Sequence, residues 1–291
     1  MTSTNLVFDL GFHRGEDTDH YLALGHRVVA VEANPSLAED GRQRFAAEIS
    51  SGQLQLIHAA VVGQGRGLEQ VSFHPHPSRS EWGSVDLRWV RRNAEAHQLP
   101  HNQPIAVAAT SLPALVAEHG CPWLLKIDIE GADEEVLADL STLEQLPAYV
   151  SWETGKESLR AVIRQHRRLA EIGYGRFRIV QQAYLEQRAA VPLADGQLYR
   201  FSPGTSGPSP ANCPQPWRSL GWVVLQYRLL FLLYALIGPG SAFVRASRSR
   251  RGWLAWLPRR LRRWAERRAI PFPGWVDSHA ALGRAGLGAH Q

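Results

Sequence analysis

Short apolar runs alternate with longer amphipathic stretches between residues 6 and 201. Apolar runs bounded by Gly, Asn and Pro are typical of buried strands, and the stretches between them are typical of helices. This alternation predicts an α/β domain with a mainly parallel sheet. The predicted main strands are 5–10, 27–32, 54–58 continuing to 62, 122–129, 148–153, 175–180 and 198–202, with helices at 15–25, 36–49, 111–118, from 132 and 157–171, and extra strands at 71–73 and 105–108.

The alternation ends at about residue 202, which predicts a domain over residues 1–202. Residues 203–218 are rich in Pro, Gly and Ser and predict a turn-rich connector. Residues 219–291 predict a helical extension. Its longest apolar run, 229–237, stops at Gly238 and is shorter than the ~20 residues that a bilayer-spanning helix needs. The sequence therefore predicts no transmembrane helix.

The net charge of +5 is unevenly distributed over the 291 residues. The segment 245–268 contains ten Arg and one acidic residue, Glu266, and so carries +9, which leaves residues 1–244 mildly acidic. Two cysteines are too few for a disulfide framework, and no signal peptide precedes the first strand. The expected compartment is the cytoplasm.

The first strand leads into a glycine-bearing turn with the pattern D-x-G-x-x-x-G, formed by Asp9, Gly11 and Gly15. The second strand ends in Glu32, whose carboxylate is placed to accept both hydroxyls of a ribose. Together they indicate a cofactor that contains a nucleoside. The G-x-G-x-x-G spacing that brings backbone against a pyrophosphate is missing. S-adenosylmethionine, which has no pyrophosphate, therefore fits better than NAD.

The fourth strand and its continuation, Trp123 to Gly131, contain ionisable residues in alternation. A strand that continues to residue 129 would place Lys126, Asp128 and Glu130 on one face. Three such groups are costly to bury, so we expect them near the carboxyl end of the strand, where open α/β sheets bind ligands. The alternative is an internal ion pair between Lys126 and Asp128, which does not exclude a site.

Four motifs of this chain resemble the FkbM family of S-adenosylmethionine-dependent methyltransferases. The resemblance implies a Rossmann-like fold with a seven-stranded, mainly parallel sheet, helices on both faces and an antiparallel last strand. It also implies that the cofactor contacts Asp9, Gly11 and Glu32, with Asn34 and His58 to Ala60 near the adenosine. The motifs are Phe8-Asp-Leu-Gly11 with Gly15, Val29-Ala-Val-Glu-Ala-Asn-Pro35, Leu125-Lys-Ile-Asp-Ile-Glu-Gly-Ala-Asp133 and Tyr149-Val-Ser-Trp-Glu153.

Methyl transfer to a hydroxyl requires alignment of the acceptor and is helped by a base that removes the proton. Asp128 and Glu130 are the leading candidates by position, and Glu153 at the end of the fifth strand is a third. The pattern does not separate their roles.

The insertion after the third strand contains a polar run in which Trp82 and Ser84 are candidates for covering the cofactor or the acceptor. An ordinary loop with one buried Trp is equally compatible. His74 and His76 have no Cys or acidic partner nearby in sequence, so no metal site is expected.

The end of the extension contains Trp275-Val-Asp-Ser-His279, which is similar to a Trp-Tyr-Asp-x-His element of bacterial relatives in the same family. Trp275 and Asp277 are candidates for a wall of the acceptor pocket, and His279 for a base, because histidine titrates near neutrality. A C-terminal strand or turn docked by its Trp is the structural alternative.

The Arg-rich segment 245–268 has the composition of a helical hairpin packed on the catalytic domain, or of a helix lying on an anionic membrane surface. Peripheral contact with the inner face of a membrane is therefore the alternative for this segment. Nucleic acid is disfavoured because no binding motif accompanies the arginines. The oligomeric state is left open.

These patterns predict an S-adenosylmethionine-dependent O-methyltransferase acting on a hydroxyl of a sugar, glycan or secondary metabolite. The alternatives are an NAD-dependent oxidoreductase and a non-catalytic, membrane-associated protein that keeps the cofactor fold.

Overall fold

The computed structural model describes most of the chain. The described residues are 6–76, 79–97, 103–155, 158–188, 190–237, 257–268, 270–272 and 275–283. Part of the Arg-rich segment, residues 245–256, lies outside them.

The chain forms two compact units. One comprises residues 1–152, 192–199 and 285–291, and the other comprises 153–191 and 200–284. We call them the N-terminal unit and the C-terminal unit.

The N-terminal unit contains the five parallel strands of the main sheet, a smaller group of strands and the helices between them. Its strands β1 and β2 are buried along almost their whole length, as expected for parallel strands covered on both faces. The elements up to the end of the fifth of these strands are β1 (Leu6–Leu10), α1 (Glu16–Ala23), β2 (Arg27–Glu32), α2 (Pro35–Arg44), α3 (Ala46–Ser50), β3 (Leu54–His58), β4 (Ala60–Val61), β5 (Gln70–Phe73), α4 (Leu87–His97), β6 (Ile105–Thr110), α5 (Leu112–His119), β7 (Leu124–Ile127), α6 (Asp133–Asp139) and β8 (Tyr149–Glu153).

The C-terminal unit contributes an antiparallel strand pair and further helices. The elements after β8 are α7 (Leu159–Glu171), β9 (Tyr174–Gln181), α8 (Leu185–Arg188), β10 (Ala190–Pro192), β11 (Leu198–Arg200), α9 (Leu220–Ile237), α10 (Leu257–Arg267) and β12 (Val276–Leu282). Of these, β11 lies mostly within the residues of the N-terminal unit. Strand β12 runs antiparallel to β9.

The main sheet has seven strands in the order β3-β2-β1-β7-β8-β12-β9, which confirms the predicted Rossmann-like fold class. Strands β4, β6 and β5 form a small separate sheet around the predicted insertion. The seventh main strand was assigned wrongly from the sequence. Residues 198–200 pair with β10 in a two-stranded sheet, and the seventh strand is β12. It lies in the extension predicted to be helical, and agrees with the C-terminal strand that was the structural alternative for residues 275–279.

The boundaries of two further elements differ from those predicted from the sequence. The helix predicted over 36–49 is divided at Phe45, whose ring packs edge-on against Phe12 with centroids 5.9 Å apart. The fourth strand ends at Ile127, so Asp128 and Glu130 lie in the loop beyond it. Within the described residues, no helix has the length and apolar character needed to cross a membrane.

Candidate active site

The turn after β1 is held against the neighbouring strands by backbone hydrogen bonds. The N–H groups of Gly11 and Phe12 both donate to the carbonyl of Val31, at 3.0 and 3.1 Å. Gly11 has a φ of 91°, and a Cβ placed there would lie 1.8 Å from the carbonyl oxygen of Asp128. Glycine is therefore required at position 11 because the turn packs against the backbone of the chain itself. The sequence pattern had suggested a different reason, close approach of the turn to a ligand.

Beneath this turn, Lys126 is buried among three carboxylates. Its Nζ lies 3.1 Å from Asp9, 3.3 Å from Asp17 and 3.7 Å from Asp128, and donates a hydrogen bond to the carbonyl of Gly11. Burial lowers the pKa of Lys126, but the three carboxylates outweigh that effect and hold the pKa well above its ordinary value. The lysine is a fixed cation that binds the glycine turn to the end of β7.

Asp9, a predicted cofactor contact, is fully buried in β1. Its other oxygen accepts a hydrogen bond of 2.6 Å from the Thr18 hydroxyl. Burial raises the pKa of the Asp9 carboxyl, and the charge of Lys126 opposes that effect. The structure thus places Asp9 under the turn, where it anchors Lys126 and the first turns of α1.

Glu32 ends β2 and accepts two backbone hydrogen bonds. Its Oε2 accepts from the N–H of His13 at 2.7 Å, and its Oε1 accepts from the N–H of Asn34 at 2.8 Å. Burial raises the pKa of the Glu32 carboxyl, and both hydrogen bonds oppose that effect. An ionised carboxylate has about four acceptor positions, so about two remain for the hydroxyls of a ribose.

Asn34, His58 and Ala60 lie close to Glu32 along the strand ends. The side chain of Asn34 caps α2 by accepting from the N–H of Ser36. His58 is the register neighbour of Glu32 on the adjacent strand, and Ala60 is buried in β4. The Nε2 atom of His58 is buried and has no hydrogen-bond partner among the described residues. A polar edge of an adenine would provide such a partner.

The loop after β7 brings the two leading carboxylates together. One oxygen of Asp128 and one of Glu130 lie within 4.8 Å of each other. Glu130 has a φ of 50°, an uncommon conformation for a residue with a side chain. The carboxylate of Asp133 accepts hydrogen bonds from the N–H groups of Ile129 and Gly131 and so holds this loop in place. Partial burial raises the pKa of Asp128 above its ordinary value, against the opposing charge of Lys126.

The insertion reaches both the loop and the turn. Ser84 is buried and donates a hydrogen bond of 2.5 Å to the carbonyl of Glu130. Ser80 lies 2.8 Å from the Nε2 of His13, whose Nδ1 lies 3.2 Å from Glu16. Two of the sequence candidates, Ser84 and Glu130, are therefore in direct contact.

Trp82, the aromatic candidate of the insertion, is half-buried. Its ring lies under the guanidinium of Arg79, 4.4 Å from the centroid, and edge-on to His76. These contacts give the indole a local packing role within the insertion, and its predicted role in covering the cofactor or the acceptor stays a prediction.

The remaining candidates belong to the C-terminal unit. Glu153 is the last residue of β8, and Trp275 directly precedes β12. His279 lies within β12, fully buried, and its Nδ1 accepts a hydrogen bond of 3.2 Å from Arg178. Burial and the charge of Arg178 lower the pKa of His279 well below its ordinary value. Asp277, also buried, accepts a hydrogen bond from Gln182. The surroundings of His279 and Asp277 are those of a packed strand pair.

Sequence reasoning missed the contributions of His13, Ser80 and Asp17. His13 has a positive φ and lies between the two glycines of the turn pattern. That position in the sequence could have indicated that His13 contributes to the site. Ser80 and Asp17 have no such signal, because their contacts join segments that are distant in the chain.

A comparison with known families decides the assignment. The family model described as Methyltransferase FkbM domain matches residues 9–173, more than half of the chain. The chain belongs to the FkbM methyltransferase family. The match spans the glycine turn, Glu32, Ser84 and the loop after β7.

This FkbM methyltransferase also has distant structural likenesses. They include the C-terminal domain of precorrin-6Y C5,15-methyltransferase from Rhodobacter capsulatus, with 12% identity, a TM-score of 0.35 and coverage of 68% of this chain and 74% of that chain. A SAM-dependent methyltransferase from Geobacter sulfurreducens in complex with S-adenosyl-L-homocysteine has 11% identity, a TM-score of 0.34 and coverage of 97% and 86%. Its counterpart from Thiobacillus denitrificans, in the same kind of complex, has 12% identity, a TM-score of 0.32 and coverage of 96% and 84%. At these values the likenesses carry no functional argument.

A search of curated proteins found no match. The family match nevertheless makes the FkbM protein an S-adenosyl-L-methionine-dependent methyltransferase. Membership of the FkbM family does not by itself identify the acceptor of the methyl group.

Proposed function

We propose that this enzyme transfers a methyl group from S-adenosyl-L-methionine to a hydroxyl oxygen of a sugar, glycan or secondary metabolite. The observation that carries the proposal is the pair of carboxylates, Asp128 and Glu130, beside the glycine turn at the carboxyl end of β7. A hydroxyl acceptor must lose a proton during transfer, and a carboxylate at this position is suited to take it.

The residues around the turn fit the cofactor. Glu32 keeps acceptor capacity for the ribose hydroxyls, and the buried Nε2 of His58 suits the adenine edge, with Asn34 and Ala60 beside them. Gly11 and Gly15 both have positive φ, and a Cβ at Gly15 would lie within 2.7 Å of the Phe12 and Phe45 rings, so the two glycines fix the shape of the turn beside which we place the methionine end. Asp9 acts through Lys126, which it holds against the turn.

When bound, S-adenosyl-L-methionine supplies a methyl group made electrophilic by its sulfonium. The protein then has to align the acceptor oxygen and accept its proton. Asp128 is the stronger candidate for the base, because its raised pKa brings it closer to neutrality and its carboxylate is still partly exposed. Ser84 and Asp133 hold the loop in which both carboxylates lie. Glu153, Trp275, Asp277 and His279 keep their roles as predictions from the sequence.

The contact of residues 245–268 with the inner face of a membrane is retained as a secondary proposal. Its described part, α10, exposes Leu261 and Trp264 among several arginines. Residues 245–256 lie outside the described part of the chain.

The proposal is tested by following transfer from methyl-labelled S-adenosyl-L-methionine to a panel of hydroxyl acceptors, including sugars, sugar nucleotides and small phenols. We expect a labelled ether product, and we expect Asp128→Asn to reduce turnover about a hundredfold with little change in the affinity for S-adenosyl-L-homocysteine. Glu130→Gln is expected to act in the same direction. Glu144→Gln, at an exposed carboxylate outside the loop after β7, is the control.

Calorimetric binding separates failure of the cofactor assignment from failure of the acceptor class. Binding of NAD without binding of S-adenosyl-L-homocysteine would overturn the cofactor assignment. Labelling of nitrogen acceptors only would overturn the hydroxyl acceptor and leave the cofactor site intact. Full turnover in both carboxylate variants would remove the proposed base.

A further inference from the structure

Helix α9 in the C-terminal unit has one face packed into that unit's core. Val223, Tyr227 and Leu230 are buried, and the hydroxyl of Tyr227 lies 2.5 Å from Ser278 and 2.9 Å from Thr154. The helix also packs against α7 and β9. These contacts fix the rotation of α9 about its axis, and they therefore determine which of its residues lie on the opposite face.

That opposite face carries a continuous apolar stripe. Five large side chains, each 46–56% exposed, recur at alternating intervals of three and four residues, and extend for about 21 Å along the helix at 1.5 Å per residue. A helix that rests on a protein core normally presents polar residues to water at these positions. Exposed apolar patches of this extent mark interaction sites. The apolar stripe consists of Trp222, Leu225, Leu229, Leu232 and Leu236.

A groove lined by arginines adjoins the stripe. Helix α7 buries Val162, His166 and Leu169 and turns its basic side outward. Arg228 of α9 contributes to the groove and lies three residues after Leu225 and four before Leu232. Residues at these spacings are neighbours on a helix surface, so the groove and the stripe adjoin at Arg228. The groove, of about 470 Å³, is lined by Arg160, Ile163, Arg164, Arg167, Arg168, Glu171 and Arg228.

We propose that the apolar stripe and the arginine groove together form a docking surface for an anionic lipid bilayer. A bilayer surface offers an apolar phase next to a dense layer of phosphates, and these are the two chemistries that this surface presents side by side. Leucine and tryptophan side chains enter the boundary between headgroups and acyl chains. Guanidinium groups form paired hydrogen bonds with phosphate oxygens. The five arginines against one Glu171 favour anionic over neutral lipids.

This surface differs from the Arg-rich segment 245–268 in residues and in position along the chain. It is also independent of the proposed methyl transfer, because none of its residues belongs to the glycine turn or to the loop after β7. Failure of either proposal leaves the other standing.

The test uses the full-length protein and flotation with unilamellar vesicles of phosphatidylcholine, with and without phosphatidylglycerol. We expect the protein to float with the anionic vesicles, to float much less with neutral ones, and to be released by salt. The double variants Leu229→Glu with Leu232→Glu, and Arg164→Glu with Arg167→Glu, are each expected to lower the partition coefficient more than tenfold. All four positions are exposed or line the groove, and circular dichroism verifies that the variants remain folded.

Matched controls separate the surface from general effects of charge. Leu198→Glu replaces an equally exposed leucine elsewhere, and Arg42→Glu with Arg91→Glu makes the same charge change at other exposed positions. Neither control is expected to change flotation by more than twofold.

Three outcomes would overturn the proposal. The first is a wild-type protein that does not float with anionic vesicles. The second is flotation that the stripe and groove variants leave unchanged while deletion of residues 245–268 abolishes it, which would assign binding to that segment. The third is a dimer in light scattering that Leu229→Glu with Leu232→Glu dissociates in the absence of vesicles, which would assign the stripe to a second copy of the chain.

Discussion

Ser84 donates a hydrogen bond of 2.5 Å to the backbone carbonyl of Glu130, and the two residues come from segments 46 positions apart. The same hydroxyl accepts from the N–H of Asp86. Ser84 thus joins the insertion to the loop that holds both candidate bases.

Ser84→Ala should therefore loosen the loop after β7 without touching Glu32. The two hydrogen bonds of the Ser84 hydroxyl are lost, each corresponding to about 1 kcal/mol. We expect turnover to fall about tenfold while affinity for S-adenosyl-L-homocysteine changes little. Ser141→Ala removes a hydroxyl that donates to a carbonyl, that of Ala138, at an exposed position and is the matched control. Equal losses of turnover in both variants would contradict the role of Ser84.

Glu32→Ala should weaken cofactor binding by about 2 kcal/mol, because two hydroxyl hydrogen bonds to a charged acceptor are lost. Calorimetry with S-adenosyl-L-homocysteine measures the change. Since Glu32 also accepts from His13 and Asn34, binding has to be measured where the variant is still folded. Glu39→Ala, at an exposed glutamate of α2, should bind normally, and an unchanged dissociation constant in Glu32→Ala would remove Glu32 from the site.

Gly11→Ala and Gly25→Ala separate backbone strain from steric conflict. Both glycines have positive φ, 91° and 84°, but a Cβ at Gly25 meets nothing within 4 Å, whereas at Gly11 it meets the carbonyl of Asp128. Strain alone costs about 1–2 kcal/mol, so we expect Gly25→Ala to fold with that loss in urea unfolding. Gly11→Ala should lose more than about 3 kcal/mol, since backbone has to move as well. Equal losses would show that the turn can separate from Asp128.

His166 should make the protein sensitive to mild acid. It is fully buried against the rings of Phe177 and Tyr227, and burial lowers its pKa to about 4. Because the unfolded state binds its proton near pH 6.5, folding stability is lost as the pH falls from about 6.5 to about 4, by up to about 1.4 kcal/mol per pH unit.

His166→Gln removes this titration and isolates its contribution from those of other groups. In urea unfolding at several pH values, the stability of the wild type relative to the variant should decrease as the pH falls through that window. A difference that stays constant from pH 7 to pH 4 would contradict the lowered pKa.

The glycine turn and the position of Glu32 at a strand end could be predicted from the sequence, and their contacts with the cofactor stay predictions. Gly11 follows β1 and Glu32 ends β2, and both strands are recognisable from their local apolar residues. The ends of parallel strands meet at one edge of a sheet. The place of His279 could not be predicted, because a histidine in a polar-looking tail has the same local sequence whether it lines a pocket or lies in a strand. His279 is buried against Arg178, which lies 101 positions away in the chain, so local sequence does not reveal this contact.

The sequence by itself determined the parallel strands from β1 to β8 with most of the helices between them, the glycine turn and the carboxylate at the end of β2, because each depends on near neighbours in the chain. Helix α4 lies in the stretch that the sequence predicted to be a loop-rich insertion. Only the tertiary structure decided that β12 completes the sheet, that Lys126 is held among Asp9, Asp17 and Asp128, and that Ser84 binds the carbonyl of Glu130. It also decided which face of α9 remains exposed, since a helix that is apolar on all sides does not reveal which residues its neighbours will cover.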